Sequence, residues 1–262
     1  MIFLSKPSKF QPEFATRSTQ LDVEKTVPYE SEDAKSVQIE QMFDDIAEQY
    51  DFLNHTLSFG IDRYWRRKGI LTLKAFSPQK ILDIATGTGD LALYAYRLLK
   101  PKKILGIDIS EKMMAIGKEK VTKAGLSEII DFDRQNCTSL QLESDSFDAA
   151  IVAFGVRNFE DLDKGLQEIH RVLQPEGRLM ILELSTPERF PLKQGYWIYS
   201  KIIPKIGQLI SHNKSAYRYL PKSITVFPQN AELKFILEKN GFSNVTFQKL
   251  TGGTCTLYLA KK

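Results

Sequence analysis

The stretch ILDIATGTGDLA, residues 81–92, decides the architecture. An apolar run, Ile81, Leu82, Ile84 and Ala85, leads into a pair of glycines, Gly87 and Gly89, one residue apart. Glycines there let backbone approach a ligand closely, and the helix that follows offers free N–H groups. Asp83 and Asp90 place carboxylates on both sides of this turn. Thr88 lies inside it. Asp108 ends the next apolar run, at about the 20-residue offset expected of a ribose-binding carboxylate in a doubly wound sheet.

Downstream, strands and helices alternate. KILDIA reads as a strand and 90–99 as a helix. KILGIDI is a strand, and SEKMMAIGKEKVTKAG a helix with Ser110 as N-cap and Gly125 as its stop. IIDFDRQ and FDAAIVAF are strands, 160–173 a helix and GRLMILELS another strong strand. Such alternation predicts a parallel sheet with helices on both faces. The C-terminal end departs from it. After the helix QNAELKFILEKN, the strands NVTFQKL and TCTLYLA are separated by only a few residues containing Thr-Gly-Gly, which closes an antiparallel hairpin and leaves no room for a crossover helix. The fold class is therefore α/β, a doubly wound, mostly parallel seven-stranded sheet ending in an antiparallel hairpin.

Residues 1–35 are polar, carry prolines at 7, 12 and 28, and read as a mobile arm. Residues 36–262 read as one domain. It divides into a helical lid (36–78), a core (79–185), an insert (186–222) and a C-terminal helix and hairpin (223–262). In the lid, Val37, Ile39, Met42, Phe43, Ile46, Ala47 and Tyr50 form a helical apolar stripe, and a second helix surrounds DRYWRRKGILTLKAF.

Composition narrows the class. Of 262 residues, 42% are hydrophobic and 26% charged, ordinary for a globular protein, and the net charge of +4 is too weak to argue for nucleic acid. Cys137 and Cys255 lie far apart without metal-ligand spacing, which predicts free thiols, a reducing compartment and no metal. No apolar run reaches the ~18 residues of a membrane span, so the expected location is cytoplasmic.

Two cofactors suit the glycine turn. GTGDLA formally satisfies the nicotinamide dinucleotide fingerprint, with Ala92 in third place. Acidic groups around the turn match a pyrophosphate poorly, and they match the cationic sulfonium and amino group of S-adenosylmethionine well. A parallel sheet ending in a hairpin resembles the class I, Rossmann-like S-adenosylmethionine-dependent methyltransferases.

The resemblance then sharpens. YDFLNHTLSFGIDRYW (50–65) is similar to the first signature of the ubiquinone/menaquinone biosynthesis C-methyltransferase family, and RVLQPEGRLMILELS (171–185) to its second. AFGVRNF (153–159) resembles that family's FG-x-RN segment, and YRYLPKSI, the Phe-Pro at 227–228 and a C-terminal GGT continue the match. Two positions depart. The first signature usually has histidine where Asp62 stands, and Ala153 occupies a position often held by serine.

The resemblance implies transfer of a methyl group from S-adenosylmethionine to a ring carbon of a membrane-derived 2-polyprenyl hydroquinone. Demethylmenaquinol is the preferred reading, and the ubiquinone-pathway benzoquinol, or another small molecule, is the alternative. It assigns cofactor contacts to Thr88, Asp108, Asn136 and Cys137, and Asp83, Gly87 and Gly89 around the turn are cofactor-binding candidates with them. Arg157 and Asn158 follow the fourth strand, at the edge where such sheets bind substrate. Arg157 there can stabilise a phenolate, or form a structural salt bridge. Asp62 is the candidate base, or a carboxylate facing Arg63, Arg66 or Arg67. Residues 190–211, aromatic and apolar with Lys193, Lys201 and Lys205, suit peripheral membrane contact; a packed lid or a homo-oligomer contact is the alternative.

Overall fold

Apolar residues at both parities of the central strands dictate a sheet covered on two faces, and the computed structural model, which describes residues 20–198, 201 and 214–262, has one. Seven strands take part: β1 (Lys80–Ile84), β2 (Lys103–Asp108), β3 (Ile130–Arg134), β4 (Phe147–Ala153), β5 (Leu173–Leu184), β6 (Ser243–Leu250) and β7 (Cys255–Lys261). Their order is β3-β2-β1-β4-β5-β7-β6. Strands β1 to β5 pair in parallel, and β7 pairs antiparallel with both β5 and β6. The order reverses between β1 and β4, so their connections leave in opposite directions and a crevice opens at their carboxyl ends.

Side-chain alternation separates two cores. Leu82, Ile84, Ala150, Val152 and Ile181 face α6 (Leu162–Val172) and α9 (Ala231–Lys239). Ile81, Ala149, Ile151, Met180 and Leu182 face α3 (Ile61–Thr72), α4 (Asp90–Leu99) and α5 (Glu111–Lys123). A third cluster joins α2 (Lys35–Leu57), through Ile39, Met42 and Ile46, to Ala216, Tyr217 and Tyr219 of α8 (Lys214–Val226). That cluster roofs the carboxyl ends of the strands. Val37, counted in the apolar stripe of α2, faces outward and is 51% exposed.

The N-terminal segment corrects the expectation of a mobile arm as far as it is described. Residues 20–34 are docked. Val23, in the short helix α1 (Asp22–Lys25), is 1% exposed and belongs to the main core. Glu24 accepts a hydrogen bond from the Leu162 N–H at 2.8 Å, tying α1 to the start of α6. The Lys35 ammonium donates to the carbonyls of Val23 at 2.7 Å, Phe159 at 3.1 Å and Arg157 at 3.3 Å. Burial lowers the Lys35 pKa to about 8. Residues 1–19 lie outside the described residues.

The insert is described in part. A helix, α7, covers residues 192–198, where Trp197 and Ile198 are exposed, as is Phe190 just before it. Within the 190–211 stretch, residues 199, 200 and 202–211 lie outside the described residues. Among the described residues no helix is long and apolar enough to cross a membrane, and no cluster of His, Cys, Asp and Glu could hold a metal ion.

Candidate active site

The glycine turn is built by its backbone. Ala85 (φ 52°), Gly87 (φ 55°) and Gly89 (φ 75°) all adopt the left-handed conformation, and Gly89 caps α4. Gly155, after β4, comes so close to this turn that a Cβ on it would sit 2.5 Å from the Ala85 Cβ. Two strand ends therefore meet where the crevice begins.

Asp108 holds the turn from the neighbouring strand. Its carboxylate accepts the Gly87 N–H at 2.8 Å and the Ser110 N–H at 2.9 Å. Burial still raises its pKa above the ordinary carboxylate value. Asp108, Gly87, Asn136 and Cys137 line one small compartment together with Asn158, a candidate for catalysis. Asn136 commits its amide oxygen to Thr138, accepting the backbone N–H at 3.0 Å and the hydroxyl at 2.8 Å, which leaves its NH2 group for a ligand. Burial pushes the Cys137 thiol well up, so it stays protonated and offers no thiolate. Met113 of α5 lines this compartment too, while Met114 is in the core.

Three predicted residues stand elsewhere. Asp83 is 1% exposed and accepts the Thr86 hydroxyl at 2.7 Å, bracing the turn from behind; burial raises its pKa to about 7. Thr88 does not line the compartment with its side chain, because its hydroxyl donates to Asp51 at 2.6 Å and accepts from Lys120 at 3.0 Å. Gly89 packs its α-carbon against Phe132, 2.9 Å from where a Cβ would be. These three shape the turn and do not face the compartment.

The charge on the wall discriminates between ligands. The small compartment is lined by Asp108 and Glu160 and, among the described residues, by no lysine or arginine. Such a surface attracts a cationic group and repels a pyrophosphate. Its residues therefore fit an adenosyl group carrying a sulfonium and an amine. The space enclosed is about 70 Å³, roofed by Ser36, Ile39 and Phe43 of α2. This is less than the roughly 150 Å³ that accepts a benzene ring. A nucleoside is larger than this space, and α2 lies over it in the place of a lid.

A second cavity of about 410 Å³ lies beside the first and shares Phe43, Tyr50 and Phe154 with it. Its wall is mostly apolar, from Met42, Ile46, Trp65, Leu184 and Ile224, with a few polar groups converging from the lid. Trp65 is fixed by its indole N–H, which donates to Thr251 at 2.8 Å. Phe59 and Leu192 stand at the mouth, 85% and 44% exposed.

Two guanidiniums line this cavity, and both are buried: Arg66 and Arg157 are each 6% exposed. Arg157 donates to the carboxylate of Glu183 at 2.7 Å and to the Phe154 carbonyl, while its backbone N–H reaches the other Glu183 oxygen at 3.2 Å. Burial opposes its charge, but Glu183, with the Tyr219 and Tyr50 phenols, outweighs it and keeps it protonated. Arg66 lies 5.2 Å above the Phe154 ring and 3.5 Å from the Asp62 carboxylate. Neither Nε makes a hydrogen bond among the described residues, although the Arg66 Nε is the atom that faces Asp62 at 3.5 Å. A buried donor without a partner is costly, so the Arg157 Nε can take a ligand oxygen.

Asp62 is not a surface carboxylate. It is 3% exposed, lines the large cavity, and accepts from the Ser58 hydroxyl at 2.8 Å, with His55 Nδ1 at 2.9 Å. Of the three arginines named as its partners, Arg66 is the one the structure brings to it. Tyr50 is half-buried where the two compartments meet, and burial raises its phenol above the ordinary value, so it stays a donor. Asn158 accepts the Tyr219 hydroxyl at 3.0 Å. Sequence reasoning missed Glu183 altogether, although a carboxylate inside the apolar run MILEL was its signal.

Comparisons with known proteins agree with this geometry. The profile of the ubiE/COQ5 methyltransferase family matches residues 31–262. A protein of Bacteroides fragilis (strain ATCC 25285) named demethylmenaquinone methyltransferase is 58% identical over 240 residues, 91% of this chain and 98% of its own length. The ubiquinone/menaquinone biosynthesis C-methyltransferase UbiE of Geotalea uraniireducens is 44% identical over 230 residues, 87% of this chain and 97% of its own. Among solved structures, an S-adenosylmethionine-dependent methyltransferase from Thermotoga maritima superposes with a TM-score of 0.58 at 20% identity, covering 85% of this chain and 99% of its own. That likeness speaks for the fold alone: the mostly parallel seven-stranded sheet with its reversed C-terminal hairpin is the class I methyltransferase architecture. With the whole body of the chain matched by sequence, and the glycine turn, its aspartate and the lid in place, the protein belongs to the ubiE/COQ5 methyltransferase family.

Proposed function

We propose that the protein transfers a methyl group from S-adenosylmethionine to a ring carbon of a polyprenyl hydroquinone. Demethylmenaquinol is the first reading and the corresponding benzoquinol the second. One observation carries the proposal: two buried guanidiniums, of which Arg157 has an Nε without a hydrogen-bond partner among the described residues, line an apolar cavity that shares a wall with the small acidic compartment. A phenolate is the anion that suits such a site, since its charge is delocalised over an apolar ring. The names of the relatives from Bacteroides fragilis and Geotalea uraniireducens favour the naphthoquinol and allow both quinols.

In this reading Asp108 accepts the ribose hydroxyls, Gly87 lets the backbone come close, and the Asn136 amide with the Cys137 backbone reads the adenine edge. Asp83, Thr88 and Gly89 keep the turn in shape. Bound S-adenosylmethionine supplies an electrophilic methyl on its sulfonium. The chain does the rest. Asp62 takes the phenolic proton, Arg66 and Arg157 stabilise the oxygen charge, and α2 closes out water. A new bond forms between the ring carbon and the methyl as the sulfur–methyl bond breaks; the ring C–H proton then moves through water to the oxygen as the ring becomes aromatic again, so the net release is the one proton that Asp62 took.

Volume supports a tail that leaves the site. At roughly 150 Å³ for a benzene-sized guest, a bicyclic quinol fills most of the 410 Å³ cavity, and the prenyl chain must pass between Phe59 and Leu192. Exposed Phe59, Phe190, Trp197 and Ile198 give that side an apolar surface suited to the edge of a bilayer. The test is methyl transfer from labelled S-adenosylmethionine to reduced short-chain demethylmenaquinol, with the demethylated benzoquinol in parallel. Label in the naphthoquinol is expected. Binding of S-adenosylmethionine with no transfer to either quinol would overturn the substrate assignment.

A further inference from the structure

The mechanism leaves a proton on Asp62, a side chain only 4% exposed, and it must leave before the next turnover. Resting on the quinol reading above, we infer that His55 is the positioning residue that carries this proton from Asp62 to solvent. His55 Nδ1 is 2.9 Å from Asp62 Oδ2, on the side of the carboxylate away from the Ser58 hydroxyl, which donates to Oδ1 at 2.8 Å. The other ring nitrogen, Nε2, lies 3.7 Å from the Asp90 carboxylate at the start of α4. Asp62 lines the cavity and His55 does not, while the His55 side chain is 24% exposed. The imidazole therefore spans the distance between a buried carboxylate and water.

The step balances. The phenolic O–H proton moves to the Asp62 carboxylate. While Asp62 is a carboxylate, Nδ1–H of His55 donates to it. Once Asp62 is protonated, the ring exchanges through solvent to the Nε2–H tautomer, takes the Asp62 proton at Nδ1 and becomes an imidazolium. The proton on Nε2 then goes to water, which restores the Nδ1–H tautomer with Asp62 a carboxylate again. The other charges around the ring act through Asp62 and Asp90. Lys120 of α5 binds Asp90 at 2.7 Å and also pairs with Asp51 of α2, while Arg66 of α3 lies 3.5 Å from Asp62. Burial would raise the Asp90 carboxyl, but Lys120 and Arg66 hold it below its ordinary value, so it stays charged opposite Nε2.

The arrangement also accounts for a departure noted in the sequence. The family's first signature usually carries a histidine where this chain has Asp62. Here an imidazole is supplied one helix earlier, from α2, and the contact across the α2–α3 corner brings the two side chains together.

The test uses the full chain and short-chain demethylmenaquinol. His55→Asn keeps an N–H donor near Asp62 but cannot shuttle a proton. It is expected to lower kcat by roughly 10- to 100-fold, part of the range of general acid–base catalysis, with KM and S-adenosylmethionine affinity unchanged. The pH profile of kcat should change shape, and added imidazole should restore turnover to His55→Ala. An unchanged kcat in His55→Asn overturns the relay. So does a loss shared equally by KM, cofactor affinity and thermal stability without imidazole rescue, because that is the signature of a brace. If the native chain methylates neither quinol, the substrate reading falls and takes the relay with it.

Discussion

Removing the counter-ion of Arg157 tests whether the large cavity is held by electrostatics or by packing. Glu183 is 1% exposed on β5 and accepts two hydrogen bonds from Arg157, through its guanidinium at 2.7 Å and its backbone N–H at 3.2 Å. It also accepts the Leu184 N–H at 2.9 Å. Glu183→Ala leaves the Arg157 guanidinium charged and buried, with the Phe154 carbonyl as its remaining partner. Breaking a buried pair in this way costs about 3–5 kcal/mol, a large part of the ~5–15 kcal/mol by which a domain is stable. Glu183→Gln keeps an acceptor and loses the charge, and is expected to cost about 1–2 kcal/mol. The double change Arg157→Met with Glu183→Met removes both charges and conserves much of the volume. It should recover most of the stability and none of the methyl transfer. Urea denaturation gives the stabilities, and turnover with titrated S-adenosylmethionine separates chemistry from binding. The reasoning is refuted if Glu183→Ala costs under ~1 kcal/mol, or if the double variant is no more stable than Glu183→Ala alone.

Three further outcomes follow from buried groups. Asp83 has its pKa raised to about 7 by burial, so the folded state binds more protons than the unfolded one between about pH 4 and 7. Native stability should therefore fall as pH rises through that window, by up to roughly 4 kcal/mol, while Asp83→Asn, which still accepts the Thr86 hydroxyl, flattens the dependence; urea midpoints at pH 5 and pH 8 decide this. Gly89→Ala forces a left-handed alanine and a Cβ 2.9 Å from Phe132, at about 2–4 kcal/mol, read by the same method; a cost near zero would mean that the turn is softer than drawn. Lys35→Met strips three carbonyls of their donor and should expose the Lys25 peptide to trypsin under native conditions, where the unaltered chain is cut slowly.

What could be read from the sequence was what local periodicity writes. Strand β1, the left-handed glycines, the Ser110 cap that accepts the Met113 N–H, and the hairpin after α9 all depend on neighbours within a few residues. Asp108 and Asn136 could be placed because alternation fixes which edge of the sheet they occupy. Contacts made across the fold left no such trace. Arg157 and Glu183 stand 26 residues apart, on a turn and a strand whose register decides the meeting. Thr88 sits where its neighbours predict, yet Asp51 and Lys120 turn its hydroxyl away from the compartment. Residues 20–34 look polar on average, and the few apolar anchors among them, Val23 with Leu21 and Tyr29, are too sparse to form a periodic stripe.

Phe43, Tyr50 and Phe154 are walls of two rooms at once. A shared wall makes the rooms thermodynamically linked. Whatever factor a guest on one side imposes on affinity across the partition, the guest on the other side must return in full. Because α2 carries two of those three side chains, the free energy of lifting and reseating one helix enters both binding constants. Filling one compartment therefore sets the terms on which the other is filled, and emptying one loosens the other.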